Sequence, residues 1–175
     1  MSRGQHTEEE KLRIKESRKA TSLRRKSQVV KCYELKIVEK RLNRRQHEEL
    51  DMLFIEGKRL YNFILSEKKK NEVTLNCIVP TDYKEVICID KDKKEITYPL
   101  EYLPSHYKQT IHGRMISNEK TIRALVKKGF QKHGSLKFKS ELNCIPLKNM
   151  DWKFKSANKV WIMGIKGKIL VRGTN

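Results

Sequence analysis

GFQKHGSLKFKSELNCIPLKNMDWKFKSANKVWIMGIKGKILVRG, residues 129–173, decides the reading of this chain. Apolar and polar residues alternate there in short runs, separated by Gly, Asn and Ser. Ten Lys or Arg stand against two acids, Glu141 and Asp151. A period of two marks strands with one buried face. The runs at 136–139, 144–148, 152–155, 159–165 and 168–171 each predict a short strand. Joined by one strand from earlier in the chain, they predict an α+β fold: a small basic β-barrel, or a sandwich, interrupted by a helical insertion.

The composition names a partner class. The 175 residues carry a formal charge of +19, with 37% hydrophobic residues, enough apolar material for a core. Such a field repels itself unless a polyanion neutralises it, and nucleic acid is the default polyanion. An anionic membrane surface is the rival. No apolar run reaches spanning length and no lipidation motif is present, so no membrane partner is expected. The polar N-terminus lacks a signal-peptide core, which predicts a cytoplasmic, nucleoid-associated protein. Cys32, Cys77, Cys88 and Cys144 form no CxxC pair. They read as reduced, small apolar core residues in strand-like runs, not zinc ligands.

Residues 1–28 hold nine Lys or Arg against four Glu, and beyond Met1 only Leu12, Ile14, Ala20 and Leu23 are clearly apolar. They predict a basic flexible arm, disordered or singly helical. Arg24, Arg25 and Lys26 suit a phosphate backbone; a solvated tail is the alternative. Residues 29–38 (VVKCYELKIV) predict the first strand, within a segment 29–40 that opens the barrel. Tyr33, Leu35 and Ile37 share one face.

The insertion spans 41–130. Asn43 with Gln46 three residues on is a capping-box start. Leu50, Leu53, Phe54, Leu60, Tyr61 and Ile64 follow at helical period, and Gly57 on that face marks a close approach by another backbone. Arg44, Arg45, Lys58 and Arg59 form the polar face. Lys68, Lys69 and Lys70 are also what a helix dipole favours in a last turn. Residues 74–79 predict a short strand ended by Pro80, and 85–100 a hairpin. Pro104 opens a helix over 105–116. Ser117 or Asn118 caps a further one, with Ile122, Leu125 and Val126 inward and Gly129 as its stop. Lys120, Arg123 and Lys127 on its polar face lead into the basic β region of 131–175 and are candidate backbone contacts.

Signals of chemistry are sparse. There is no Gly-rich phosphate loop. His106 and His112 have no ligand-spaced companions. Asp82, Asp90 and Asp92 surround a hairpin without the second carboxylate motif that a two-metal nuclease needs. No catalytic residue, metal or cofactor is expected of this chain alone. Lysines do interleave with aromatics, at Lys137-Phe138-Lys139 and Trp152-Lys153-Phe154-Lys155. Strand neighbours point oppositely. Leu136, Phe138 and Phe154 are therefore expected in the core, and Lys137, Lys139, Lys153 and Lys155 outward on phosphates. Trp152 and Trp161 fit either face. No repeats or low-complexity tracts occur.

VVKCYELKIV followed by a Gln-containing helix ending in RLYNFIL (59–65), then GSLKFKS, CIPLK, WIMGI and KILVRG, resembles the N-terminal half of TnpB (OrfB) proteins. These are the transposon-encoded RNA-guided nucleases related to compact type V CRISPR effectors. The resemblance covers residues 31–173. It implies a wedge barrel interrupted by a recognition domain, gripping a guide RNA scaffold and reading a short motif beside the target DNA. Lys58, Arg59, Lys137 and Lys139 fall at backbone-contact positions, and Tyr61 and Asn62 where the flanking duplex is touched. The family's RuvC-like nuclease domain would begin near Asn175, so the implied role is binding without cleavage. A RuvC-bearing chain or a second copy of this one is an implied partner. The hairpin at 85–100 has no family counterpart. The alternatives are the N-terminal subunit of a split RNA-guided endonuclease, and a ribosomal-type RNA-binding protein.

Overall fold

The computed structural model describes residues 7–28, 34–72, 74–89 and 92–173. The chain mixes helices and strands and divides into two compact units, one of them Leu35–Arg172. The other unit contains helix α1 (Glu8–Lys26), opened by a Thr7/Glu10 capping box and burying no residue. Three glutamates in its first turn and Arg24, Arg25 and Lys26 in its last complement the helix dipole, so local terms alone account for it.

Leu35–Arg172 is organised by helix α2 (Arg44–Lys70). Asn43 and Gln46 make the capping box the sequence predicts. Leu53, Leu60, Tyr61, Ile64 and Leu65 form its buried stripe. Strands β2 (Glu85–Ile89) and β3 (Glu95–Pro99) form the expected antiparallel hairpin, with Val86 buried. Helix α3 (Ser105–Lys127) begins after Pro104 and ends before Gly129, whose φ of +76° is a natural glycine stop. Tyr107, Ile111 and Met115 bring it into the shared core.

Strands β4 (Trp152–Ser156), β5 (Lys159–Ile162) and β6 (Ile169–Gly173) form an antiparallel meander. Strand β1 (Leu35–Ile37) joins it across the helical insertion, giving the order β1-β6-β5-β4. Val38 N–H donates to the Leu170 carbonyl at 2.9 Å. The rest of the expected strand, residues 29–33 with Cys32, lies outside the described residues. The described strands make an open sheet with β1 and β4 at its edges, not a closed barrel.

The β5–β6 turn ties this sheet to the helices. Gln46 Nε2 donates to the Lys166 carbonyl at 3.0 Å, Lys166 N–H to Glu49 Oε2 at 2.7 Å, and Tyr107 Oη to the Met163 carbonyl at 2.7 Å. Gly164 and Gly167 have φ of +85° and +88°, and the backbone of Gly164 lies against Leu53 and Pro104. Val160, Ile165, Ile169 and Val171 join the helices' apolar residues in one core.

Several local expectations are corrected. Residues 136–139 form no strand among the described residues, and Asn62 takes the backbone N–H and carbonyl of Lys139 that a ladder would use. Residues 144–148 form no strand; Pro146 has no N–H to donate. In 74–79 a 3-10 turn, Leu75–Cys77, replaces the strand, and His112 Nε2 lies 2.8 Å from the Leu75 carbonyl. Ser117 and Asn118 lie inside one continuous α3 and cap nothing: Thr121 hydrogen-bonds the Ser117 carbonyl, and Glu119 is held by Lys68 of α2 at 2.6 Å. Gly57 admits side chains, not backbone, with Leu142, Ile111 and Ile145 against it. Cys77 and Cys144 are exposed.

Candidate nucleic-acid interface

The candidate cations of Leu35–Arg172 fall on three parts of it, and their surroundings differ. On α2, the Arg59 guanidinium lies 3.7 Å from the Tyr98 ring centroid of β3. Lys58 is half-buried beside it, along a groove of about 520 Å³ between α2 and the hairpin. Arg59 thus has a cation–π partner that holds its head against the hairpin. Burial raises the pKa of the Cys88 thiol in the same groove, and the positive charges of Arg59 and Lys58 oppose that only in part.

Tyr61 and Asn62 are turned to packing. Tyr61 is 5% exposed, and burial pushes its hydroxyl pKa up. The Asn62 amide donates to the Lys139 carbonyl and accepts from the Lys139 N–H, both at 2.9 Å. The expectation that this pair meets a duplex is corrected: the ring sits in the core and both ends of the amide are used on Lys139. The Lys139 ammonium returns over the Tyr61 ring at 5.1 Å.

Along α3, Lys120, Arg123 and Lys127 are exposed. Arg123 is part-neutralised by Glu119, one turn earlier at 2.8 Å. Burial acts to raise the Glu119 pKa, but hydrogen bonds and charge from Lys68 and Arg123 outweigh it and hold the carboxyl below its ordinary value. Lys120 and Lys127 pair with no described acid.

The basic segments after α3 carry the remaining sites. Lys137, Lys139, Lys153 and Lys155 are exposed, and none forms an ion pair with a described residue. Of the three apolar residues expected inward beside them, Leu136 is buried. Phe138 and Phe154 are corrected to the surface, at 54% and 52% exposed. No second layer covers the unpaired segment at Phe138, where the Lys69 ammonium sits 4.5 Å over the ring. At Phe154 the register shift before Ser156 bends edge strand β4 at that point. Arg24, Arg25 and Lys26 are exposed on α1, with the Ser27 hydroxyl donating to the Arg24 carbonyl.

Sequence reasoning missed Trp161 and its neighbours. Val160 is buried, so Trp161 faces the other way, paired across the strands with Lys153. Lys159 and Arg172 are exposed on the same meander. The signal was the alternation Val160-Trp161-Ile162, which becomes decisive only once the register is known. Among the described residues no group of His, Cys, Asp or Glu could hold a metal ion, and no helix is long and apolar enough to cross a membrane. His106 and His112, six residues apart on α3, serve structure: His106 Nδ1 is 3.0 Å from the fully buried Asp151, and His112 meets Leu75.

No family model, curated protein or solved structure matches the chain.

Proposed function

We propose that this protein is an RNA-binding module, and that the RNA it holds is a guide scaffold through which it is brought to DNA beside a short flanking motif. The observation that carries the reading is the set Lys137, Lys139, Lys153 and Lys155. These are exposed cations that form no ion pair with a described acid, in a chain of net charge +19. Ammonium groups held out in this way neutralise phosphates, and the protein then recognises the partner by shape and backbone while base pairing supplies sequence. Lys120 and Lys127 extend the same charge along α3. The path of the chain supports the finer reading: a first strand, a helical insertion, and a return in which β1 lies beside β6, the order implied by the TnpB resemblance. In this reading the open sheet stands for the wedge, and Lys58 and Arg59 contribute from the recognition side.

The test is to purify the protein after co-expression with RNA transcribed from its own locus. A defined RNA should co-purify, and affinity should fall steeply with salt, by about 0.7 to 0.9 log units per log salt for each phosphate neutralised. Changing Lys137, Lys139, Lys153 and Lys155 together to Gln should flatten that slope. A random RNA population and a shallow slope would sink the reading, and co-sedimentation with ribosomes would favour the ribosomal-type alternative instead. Cleavage of DNA on adding a RuvC-bearing chain would make the module part of an endonuclease.

A further inference from the structure

We infer that the outward face of β4, β5 and β6 binds an unpaired stretch of RNA, with Trp161 as the ring on which a base stacks and Lys153, Lys159 and Arg172 as its phosphate contacts. The inference rests on the proposal above that the partner is RNA, and it names which part of that RNA this face takes.

The two faces of the meander are separated by register. Trp152 pairs with Ile162, Phe154 with Val160, and Val160 with Ile169. That face carries the buried Val160 and Ile169 and looks into the core. Lys153 pairs with Trp161 and Lys159 with Leu170, on the opposite face. Arg172 follows Leu170 by two and shares its side. Trp161 and Leu170 are partly buried, and neither is among the apolar residues packed against the core. A tryptophan that lies outside the core cluster and keeps part of its ring in water has that part still available to a ligand.

The surroundings select that ligand. Residues 152–173 contain no Asp or Glu, and Lys153, Lys159 and Arg172 are exposed. Directly opposed cross-strand side chains stand about 5 Å apart, so the Lys153 ammonium and the Trp161 ring are presented side by side. Adjacent lysine and aromatic residues of one strand point oppositely; across the pair they meet on one surface. A ring with one cation directly opposite it on the next strand, and further cations at Lys159 and Arg172 along the same face, matches a base beside a phosphate backbone. Duplex bases are already stacked on each other and offer only their edges, so an unpaired strand is the form that fits.

The 175-residue chain has two tryptophans, so Trp152→Phe leaves Trp161 as its sole indole. Titration of that variant with a uridine dodecanucleotide should quench its fluorescence, while an RNA duplex of equal length and heparin should leave it nearly unchanged. Trp161→Ala should weaken single-strand binding roughly tenfold with an unaltered salt slope, since a stacked base is lost and no phosphate contact is. Trp161→Phe should retain most of the affinity, which also controls for folding. Lys153→Gln with Lys159→Gln should instead lower the slope by about 1.4. Equal quenching by heparin or duplex overturns the inference, as does wild-type affinity in Trp161→Ala. Tighter binding of a thymidine dodecanucleotide overturns the choice of RNA. If wild type holds RNA from its own locus and Trp161→Ala is neutral, this inference alone falls; if wild type holds none, the proposed function falls with it.

Discussion

Residues 137–140 and 153–156 are the same tetrapeptide, Lys-Phe-Lys-Ser, each preceded by a large apolar residue, Leu136 or Trp152. Their side chains behave alike. The leading residue turns inward, both phenylalanines are about half exposed, and all four lysines face water. Their backbones do not. The second copy is strand β4, paired with β5 through the turn at Ala157-Asn158. The first copy has no strand partner among the described residues, and α2 holds it through Asn62, 77 residues away from Lys139 in the chain. Alternation therefore identifies the outward lysines but not the exposed phenylalanines, while pairing is decided by what lies within reach of the backbone. The first copy depends on one amide and one leucine, the second on a ladder.

That contrast predicts where the molecule is fragile. Leu136→Ala should be the most damaging change, costing about 3 kcal/mol in chemical denaturation, because a buried leucine is removed with little to refill its site. A cost below about 1 kcal/mol would mean that the first copy is not docked as described. Asn62→Ala comes next. It removes both bonds to the Lys139 backbone and should cost about 1 to 2 kcal/mol. Hydrogen exchange separates the two copies: the Lys139 amide should lose its protection in this variant, and the amides of the β4–β5 ladder should keep theirs. Equal loss in both would contradict the clamp.

The phenylalanines sharpen the comparison at smaller amplitude. Phe154 makes an edge-to-face contact with Trp152, ring centroids 5.5 Å apart, whereas Phe138 has only the Lys69 ammonium above it. Phe154→Ala should cost about 1 kcal/mol and Phe138→Ala less than about 0.5. Thermal melts of the two variants, run together, should show that order; the reverse order would place Phe138 in a packed environment.

What the sequence disclosed follows the same division. Helix α2 was legible from Asn43 to Ile64 because its cap, its stripe and its polar face are all local signals. The hairpin at β2 and β3 and the stop at Gly129 were legible for the same reason. Ser117 and Asn118 misled because their capping preference is also local, while α3 runs through them and Glu119 meets Lys68 on another helix. Asn62 is one polar residue on a helix, and nothing near it in sequence announces a partner at Lys139. At the candidate interface the exposed lysines could be read from alternation. The placing of Trp161 beside Lys153 could not, because it is a property of the register between β4 and β5. The same limit turned five expected strands in 136–171 into three: the period was present, but 136–139 and 144–148 found no strand to pair with.

The smallest predicted effect distinguishes the two attachments by charge. Both copies lie in segments held to α2 by a side chain bonded to a distant backbone N–H. For the first copy the acceptor is Asn62, which does not titrate. For the sheet containing the second it is Glu49, which accepts from Lys166 N–H and from Arg45 Nε at 2.9 Å. The backbone hydrogen bond from Lys166 is the largest influence on Glu49; with Arg45 it outweighs desolvation and holds the carboxyl below its ordinary value. A carboxyl depressed on folding stabilises the folded state above its unfolded value, and that contribution is lost as pH falls through the folded one. Acid should therefore loosen the β5–β6 turn while leaving the Asn62 clamp intact. With intrinsic exchange rates divided out, protection of the Lys166 amide should decline between neutral pH and pH below the ordinary glutamate range, and that of Lys139 should not. Glu49→Gln should remove the difference by making both attachments insensitive to protons. If Lys139 loses protection in step with Lys166, the two segments open as one unit, and the distinction between clamp and ladder applies to their bonding but not to their stability.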